Sequence, residues 1–190
     1  QFELEKKIIE LLLVYGVVEE EFEEMSIEVN EKGEIIHSSE KVKSKVFEKI
    51  YLDLQEDETE FANEDFKELY NYIIDDFNKN QDFKIDRLIS KLPQQKAELI
   101  THILFDSERH ELHDWEGRKI YVKDKHQSIS QMVSETVFNL RRHLISLKIN
   151  EMANKIKTLE DDTLKLQTLK ETLEYTTLKK LLSDKLNRVL

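Results

Sequence analysis

The chain has 190 residues, 39% hydrophobic and 36% charged, with a formal net charge of −11. That length sustains one core of ordinary size, or one domain with an appendage. Three Gly and one Pro are too few for an all-β fold, the acidic balance lacks the basic footprint that phosphate backbones need, and the absence of Cys removes disulfides, thiolate metal sites and thiol nucleophiles.

The first predicted helix spans Phe2 to Tyr15, where Leu4, Ile8, Leu11, Leu12 and Tyr15 recur at helical spacing, and Gly16 follows at the position of a left-handed C-cap. The acidic run Glu19–Glu24 reads as a solvated loop. Ser26 to His37 reads as a small two-stranded hairpin turning at Asn30–Gly33. A second helix is expected after Ser39, with Val42, Val46, Phe47, Ile50, Tyr51 and Leu54 as its buried stripe. Asn63 is a good N-cap for a third, which starts with Glu64 and Asp65 and buries Phe66, Leu69, Tyr70, Ile73, Ile74 and Phe77. A short fourth helix covers Ile85 to Leu92. Pro93 opens a fifth that offers Ala97, Ile100, Ile103 and Leu104.

Residues 106–125 read as a polar connection anchored by Trp115, Ile120 and Tyr121. From Ser128 to Thr158 there is neither Gly nor Pro, which predicts one helix about 45 Å long. Its apolar face moves from Val133, Val137, Leu140 and Leu144 to Ile149, Met152, Ile156 and Leu159, so the two halves face different neighbours. A flexible joint is expected near 145–149. After a turn at Glu160–Asp162 the last helix runs from Thr163 to Arg188, with Leu166, Leu169 and Leu173 expected to pack on the helix before it. The expected fold class is all-α. A helical bundle subdomain covers 1–127, and the long helix with a C-terminal helical hairpin covers 128–190.

Little in this chain suggests chemistry. His110, Glu111, His113 and Asp114 cluster, but the two His are three apart and not four, on an expected connection, and they read as a polar loop. His143, flanked by Arg141 and Arg142, has no supporting context for phosphotransfer. No Gly-rich phosphate loop exists. Arg141, Arg142, Lys148, Lys155 and Lys157 are spread around their helix without interleaved aromatics, an arrangement that speaks against nucleic acid. Charge is uneven: residues 1–125 carry 18 basic against 32 acidic side chains, and residues 126–190 carry 11 against 8. The C-terminal apolar residues, Leu178, Leu181, Leu182, Leu186 and Val189, cover more than one stripe, which suits a helix that meets a partner.

The order of parts, short bundled helices followed by a long helix and a terminal hairpin, resembles the C-terminal helicase-binding domain of bacterial DNA primase. The opening Leu4-Glu5-Lys6-Lys7-Ile8-Ile9-Glu10-Leu11-Leu12-Leu13 is similar to that domain's first helix. Val137-Phe138-Asn139-Leu140-Arg141-Arg142-His143-Leu144-Ile145, then Ile149-Asn150-Glu151-Met152 and Lys155-Ile156, are similar to its long connecting helix. Asp161-Asp162 before a Leu-periodic helix looks like the hairpin turn. The stretches 19–37 and 106–125 depart from the pattern. The first half also resembles the N-terminal domain of the replicative helicase, and a generic helical scaffold is the other alternative; the long hairpin favours the primase.

The resemblance implies a non-catalytic piece of a longer, cytoplasmic protein, in keeping with a first residue that is not Met. The full-length parent would be a primase, a DNA-directed RNA polymerase, whose zinc and magnesium belong to upstream parts absent here; no cofactor is expected in this piece. It would bind the N-terminal domains of the hexameric replicative helicase, recruit primer synthesis to the fork and modulate the helicase. Little or no direct nucleic-acid binding and no membrane are expected, and the isolated piece would be prone to a hairpin-swapped dimer. The expected partner-binding residues are Tyr175, Leu178, Lys179, Leu181, Leu182, Lys185, Leu186 and Val189. Apolar residues would supply affinity and lysines steering.

Overall fold

The computed structural model describes residues 1–29, 35–80, 83–111 and 129–188. Among them the fold is all-α with one small antiparallel sheet: α1 (Phe2–Tyr15), β1 (Glu19–Val29), β2 (Ile35–Lys45), α2 (Val46–Glu56), α3 (Glu64–Lys79), α4 (Ile85–Lys91), α5 (Gln94–Glu111), α6 (Ile129–Thr158) and α7 (Asp162–Arg188).

α1 is the hub. Ile8, Ile9, Leu11, Leu12, Leu13 and Tyr15 are all buried, more than one face of a surface helix, because α2, α3, α5 and α6 all pack on it. The core continues through Ile50 and Leu54 of α2, Phe66, Leu69 and Ile73 of α3, Leu88, Ile100 and Ile103, and the first half of α6 through Ile129, Val133 and Leu140. Glu5 is buried among these helices and is fully used. Its carboxylate accepts the backbone N–H groups of Ala62 and Asn63 at 2.8 and 3.1 Å, and the Gln1 amide at 2.8 Å. It thereby satisfies the chain just ahead of α3, while the Asn63 side chain caps that helix by accepting from Phe66 N–H.

Gly16 differs from expectation. Its φ of −51° is right-handed, so no left-handed cap operates there. The requirement for glycine is space: a Cβ would overlap the Phe77 ring and the Leu12 carbonyl oxygen. Phe77 is itself fixed between Phe47 and Phe83, with ring centroids 4.4 and 4.3 Å away.

The stretch 19–45 is the largest correction. The acidic run expected as a loop is strand β1, the ribbon is far longer than a 26–37 hairpin, and α2 begins at Val46, several residues after Ser39. Glu19, Glu21 and Glu23 stand opposite Lys45, Lys43 and Lys41 on the solvent face, while Phe22 opposes Val42 on the other face and is buried. One-sided burial with a cross-strand charge ladder is what a two-stranded ribbon on a helical body requires. Val42 and Val46 are four apart, which imitated a helix face. The helix starts where its first N–H groups find acceptors: Val46 and Phe47 donate to the carbonyls of Val18 and Gly16, and the Glu48 carboxylate accepts from Lys45 N–H.

α5 also runs on to Glu111, so the first part of the expected 106–125 connection is helical. The remainder, with Trp115, Ile120 and Tyr121, and the turn Asn30–Gly33, lie outside the described residues.

Candidate functional site

α6 and α7 form the C-terminal hairpin. A turn of 159–161 joins them, and the Asp161 carboxylate caps α7 by accepting Thr163 and Leu164 N–H at 2.7 and 3.4 Å. Those backbone bonds hold its pKa below the ordinary aspartate value. α7 packs on α6 and on no other described element to a comparable extent. With equal rise in both helices, Thr168 lies about level with Met152 and Leu182 about level with Phe138.

α6 has two working faces. Val133 and Leu140 enter the body's core, with Leu144 packed against it, whereas Met152 is buried outside that core beside α7. Past Leu144 α6 leaves the core, while α7 lies along both of its halves. The helix is continuous through 145–149.

The face that α7 turns to α6 is not the leucine face. Thr168 and Leu182 are buried, and Thr172, Tyr175, Lys179 and Leu186 are half-buried. Positions 168, 172, 175, 179, 182 and 186 alternate in steps of four and three, the spacing of a helix–helix seam. Leu166, Leu169 and Leu173, expected to pack on α6, point away from it at 57, 46 and 67% exposure. The seam row prevails because it continues to Leu186, whereas the leucine row is interrupted at Thr176 and Thr177. The threonines suit a packed face because Thr168 and Thr172 return their hydroxyl protons to the carbonyls of Leu164 and Thr168 at 2.9 and 2.7 Å, which satisfies the polar atom within the helix.

The eight expected partner-binding residues therefore divide. Leu178 and Leu181 are exposed; Tyr175, Lys179 and Leu186 are half-buried along the seam; Leu182 is 7% exposed and internal to the hairpin. The side chain of Lys185 and the whole of Val189 lie outside the described residues. Sequence reading gave the three outward leucines to the interior because it ranked rows by hydrophobicity. The seven-residue repeat of 168, 175 and 182, and of 172, 179 and 186, was the signal that could have separated the rows.

Arg141, a candidate phosphate contact by sequence, is engaged within the protein. Its guanidinium donates to the carboxylates of Asp53, at 3.3 Å, and Asp57. Arg142 donates to Asn139. His113 and Asp114 of the histidine cluster fall outside the described residues, and among the described ones no three His, Asp or Glu side chains converge as metal ligands. No described helix is long and apolar enough to cross a membrane.

A family model for a domain of unknown function, DUF8430, matches residues 2–189, and the chain belongs to that family. No curated protein and no solved structure matches it.

Proposed function

We propose that this chain is a non-catalytic docking domain of the kind that ends bacterial DNA primase, and that its C-terminal hairpin binds the N-terminal domains of the hexameric replicative helicase. In this reading it brings primer synthesis to the fork and modulates the helicase, and the chain itself performs no chemical step. The order of parts supports the reading: a bundle centred on α1, a long α6 and a returning α7.

The single observation that carries it is the leucine row of α7. Leu166, Leu169 and Leu173 follow one another at helical spacing on a face turned away from the seam, all three exposed; Leu178 and Leu181 are exposed on other faces of the helix. A row of large aliphatic side chains with no partner among the described residues suits an anchor for another helix. Its place toward the turn shifts the expected contact away from Leu182, which would have to leave the hairpin interior to reach a partner.

The test is binding of the chain to immobilised helicase hexamer, with Leu169→Asp/Leu173→Asp beside the unaltered protein. A loss of at least about tenfold in affinity, roughly 1.4 kcal/mol, is expected. Lys43→Glu on the outer face of the ribbon should bind unchanged. Equal binding by the double variant, with its helicity intact, would move the contact elsewhere; no binding by the unaltered chain would end the helicase reading.

A further inference from the structure

The body holds α6 through an apolar stripe against α1 and α2, through β1, and through a set of charges centred on Arg141. We infer that Arg141 is the positioning residue that fixes the direction in which α6 carries the docking hairpin away from the body. The consequence for docking rests on the function proposed above, but the geometry and its test do not.

Hydrophobic burial is non-directional. Ile129, Val133, Leu140 and Leu144 hold α6 against the body, yet a smooth aliphatic stripe resists rocking and rolling only weakly. Among the described residues no α6 residue beyond Leu144 belongs to the core or packs against it, so the contacts in this last turn bear strongly on the direction of the rest of the helix. Arg141 sits in that last turn, to one side of the stripe, and supplies what the stripe lacks. Its Nη2 donates to the Asp53 carboxylate at 3.3 Å and to the Asp53 carbonyl at 3.4 Å, and its Nε donates to the Asp57 carboxylate. A planar guanidinium whose Nε and Nη2 both meet acceptors is held in orientation, where a lysine would allow many.

The acceptors are themselves fixed. Asp53 and Asp57 belong to the last turn and the C-cap of α2, where the helix dipole favours a cation. Asp53 is only 7% exposed and also accepts from Lys49 at 3.1 Å, while Lys49 reaches Glu24 of β1 at 3.0 Å. Burial acts to lower the Lys49 pKa, but Asp53 and Glu24 outweigh it and hold the ammonium charged. Glu58, directly after Asp57, takes a left-handed φ of 47° and donates to the Gln55 carbonyl at 3.1 Å, which closes α2 and sets the Asp57 side chain. The Phe138 ring lies 6.0 Å from the guanidinium carbon. Ribbon, α2 and α6 are thus joined through one connected set of charges.

The lever makes the clamp matter. From Arg141 to the turn, α6 runs about 27 Å, so a tilt of about 10° at the clamp displaces the leucine row's end of the hairpin by about 5 Å. A hairpin free to tilt would still expose its leucines but would present them in many directions.

Because the chain has no Cys, Tyr72→Cys on α3 and Lys170→Cys on α7, both at exposed positions, give a clean pair of spin-label sites. The labelled parent should show one narrow distance distribution. Arg141→Met keeps an unbranched apolar stem and removes the charge; it should broaden the distribution or shift its mean by about 5 Å, and Arg141→Lys should fall between. Arg142→Met, next along the same helix, should leave it unchanged. Asp57→Asn is the second route: it removes the more exposed acceptor, leaves Asp53 in place and should broaden the distribution in the same direction, so the outcome is readable even if Arg141→Met fails to fold. A narrow, unshifted distribution in a folded Arg141→Met or Asp57→Asn protein overturns the inference. Weak helicase binding with an unchanged distance would bear on the docking proposal alone.

Discussion

Asp76 shows how one buried charge is made useful. It is 5% exposed, and burial alone would raise its pKa; the Arg87 guanidinium at 2.8 Å and the Lys91 ammonium at 3.2 Å reverse that and hold it below the ordinary aspartate value. Asn80 adds a third donor at 2.9 Å, so the end of α3 is tied to α4. A carboxyl with a depressed pKa in the folded state binds fewer protons there than in the unfolded chain. Its contribution is therefore fully present above the unfolded value and disappears as pH falls through the folded one. Urea unfolding across roughly pH 6 to 3 should show stability falling with acid, and Asp76→Asn should flatten part of that fall while lowering stability at neutral pH by about 1–3 kcal/mol. An Asn variant with the parent's pH slope would remove Asp76 from the account. Glu5, equally buried, is held by neutral amide donors instead of cations.

Elements differ in how plainly the sequence announces them, and the ribbon shows why. α1, α3, α6 and α7 were legible to within a residue or two because their stripes are long, and Asn63 marked a start that the structure confirms. β1 and β2 were not, because their exposed face is charged and their buried face offers little beyond Phe22 and Val42. A glutamate run resembles a loop until the lysines that oppose it are known, and that pairing is a long-range fact. The leucine row of α7 was visible as a row but not as an outward one, since direction depends on which stripe α6 accepts. Arg141 could be read as a basic side chain, whereas its acceptors Asp53 and Asp57 lie 88 and 84 residues away. The ribbon's construction carries its own expectation. Reversing Lys41, Lys43 and Lys45 to Glu sets like charges opposite one another at three positions and should lower the midpoint of thermal unfolding by several degrees at low salt. Added salt should recover much of the loss, because these side chains are exposed and screened. Loss without salt recovery would mean that the lysines contribute packing and not charge.

Over the whole molecule, burial is distributed unequally. The core gathers α1 to α5 with the first half of α6, and Val137, Met152 and Leu182, buried apolar side chains of α6 and α7, lie outside it. A helix that packs on one neighbour, through a seam holding Thr168, Thr172 and Lys179, has less to lose by opening than α1, which packs on four. Opening of α7 should therefore precede global unfolding. Amide hydrogen exchange gives the order directly: α1 should exchange only through global unfolding, and α7 at a lower free energy. Leu182→Ala should cost about 2 kcal/mol, the lower end for a buried leucine because the seam has little around it to collapse. The cost should appear as faster exchange along α7 with α1 unchanged. Leu173→Ala, on the exposed row, should leave both rates as they were, which separates the residue that closes the hairpin from those exposed on its outer face. Equal slowing or equal acceleration of α1 and α7 by Leu182→Ala would mean that the molecule opens as one unit, and the docking proposed for α7 would then have to proceed without prior loosening of the hairpin.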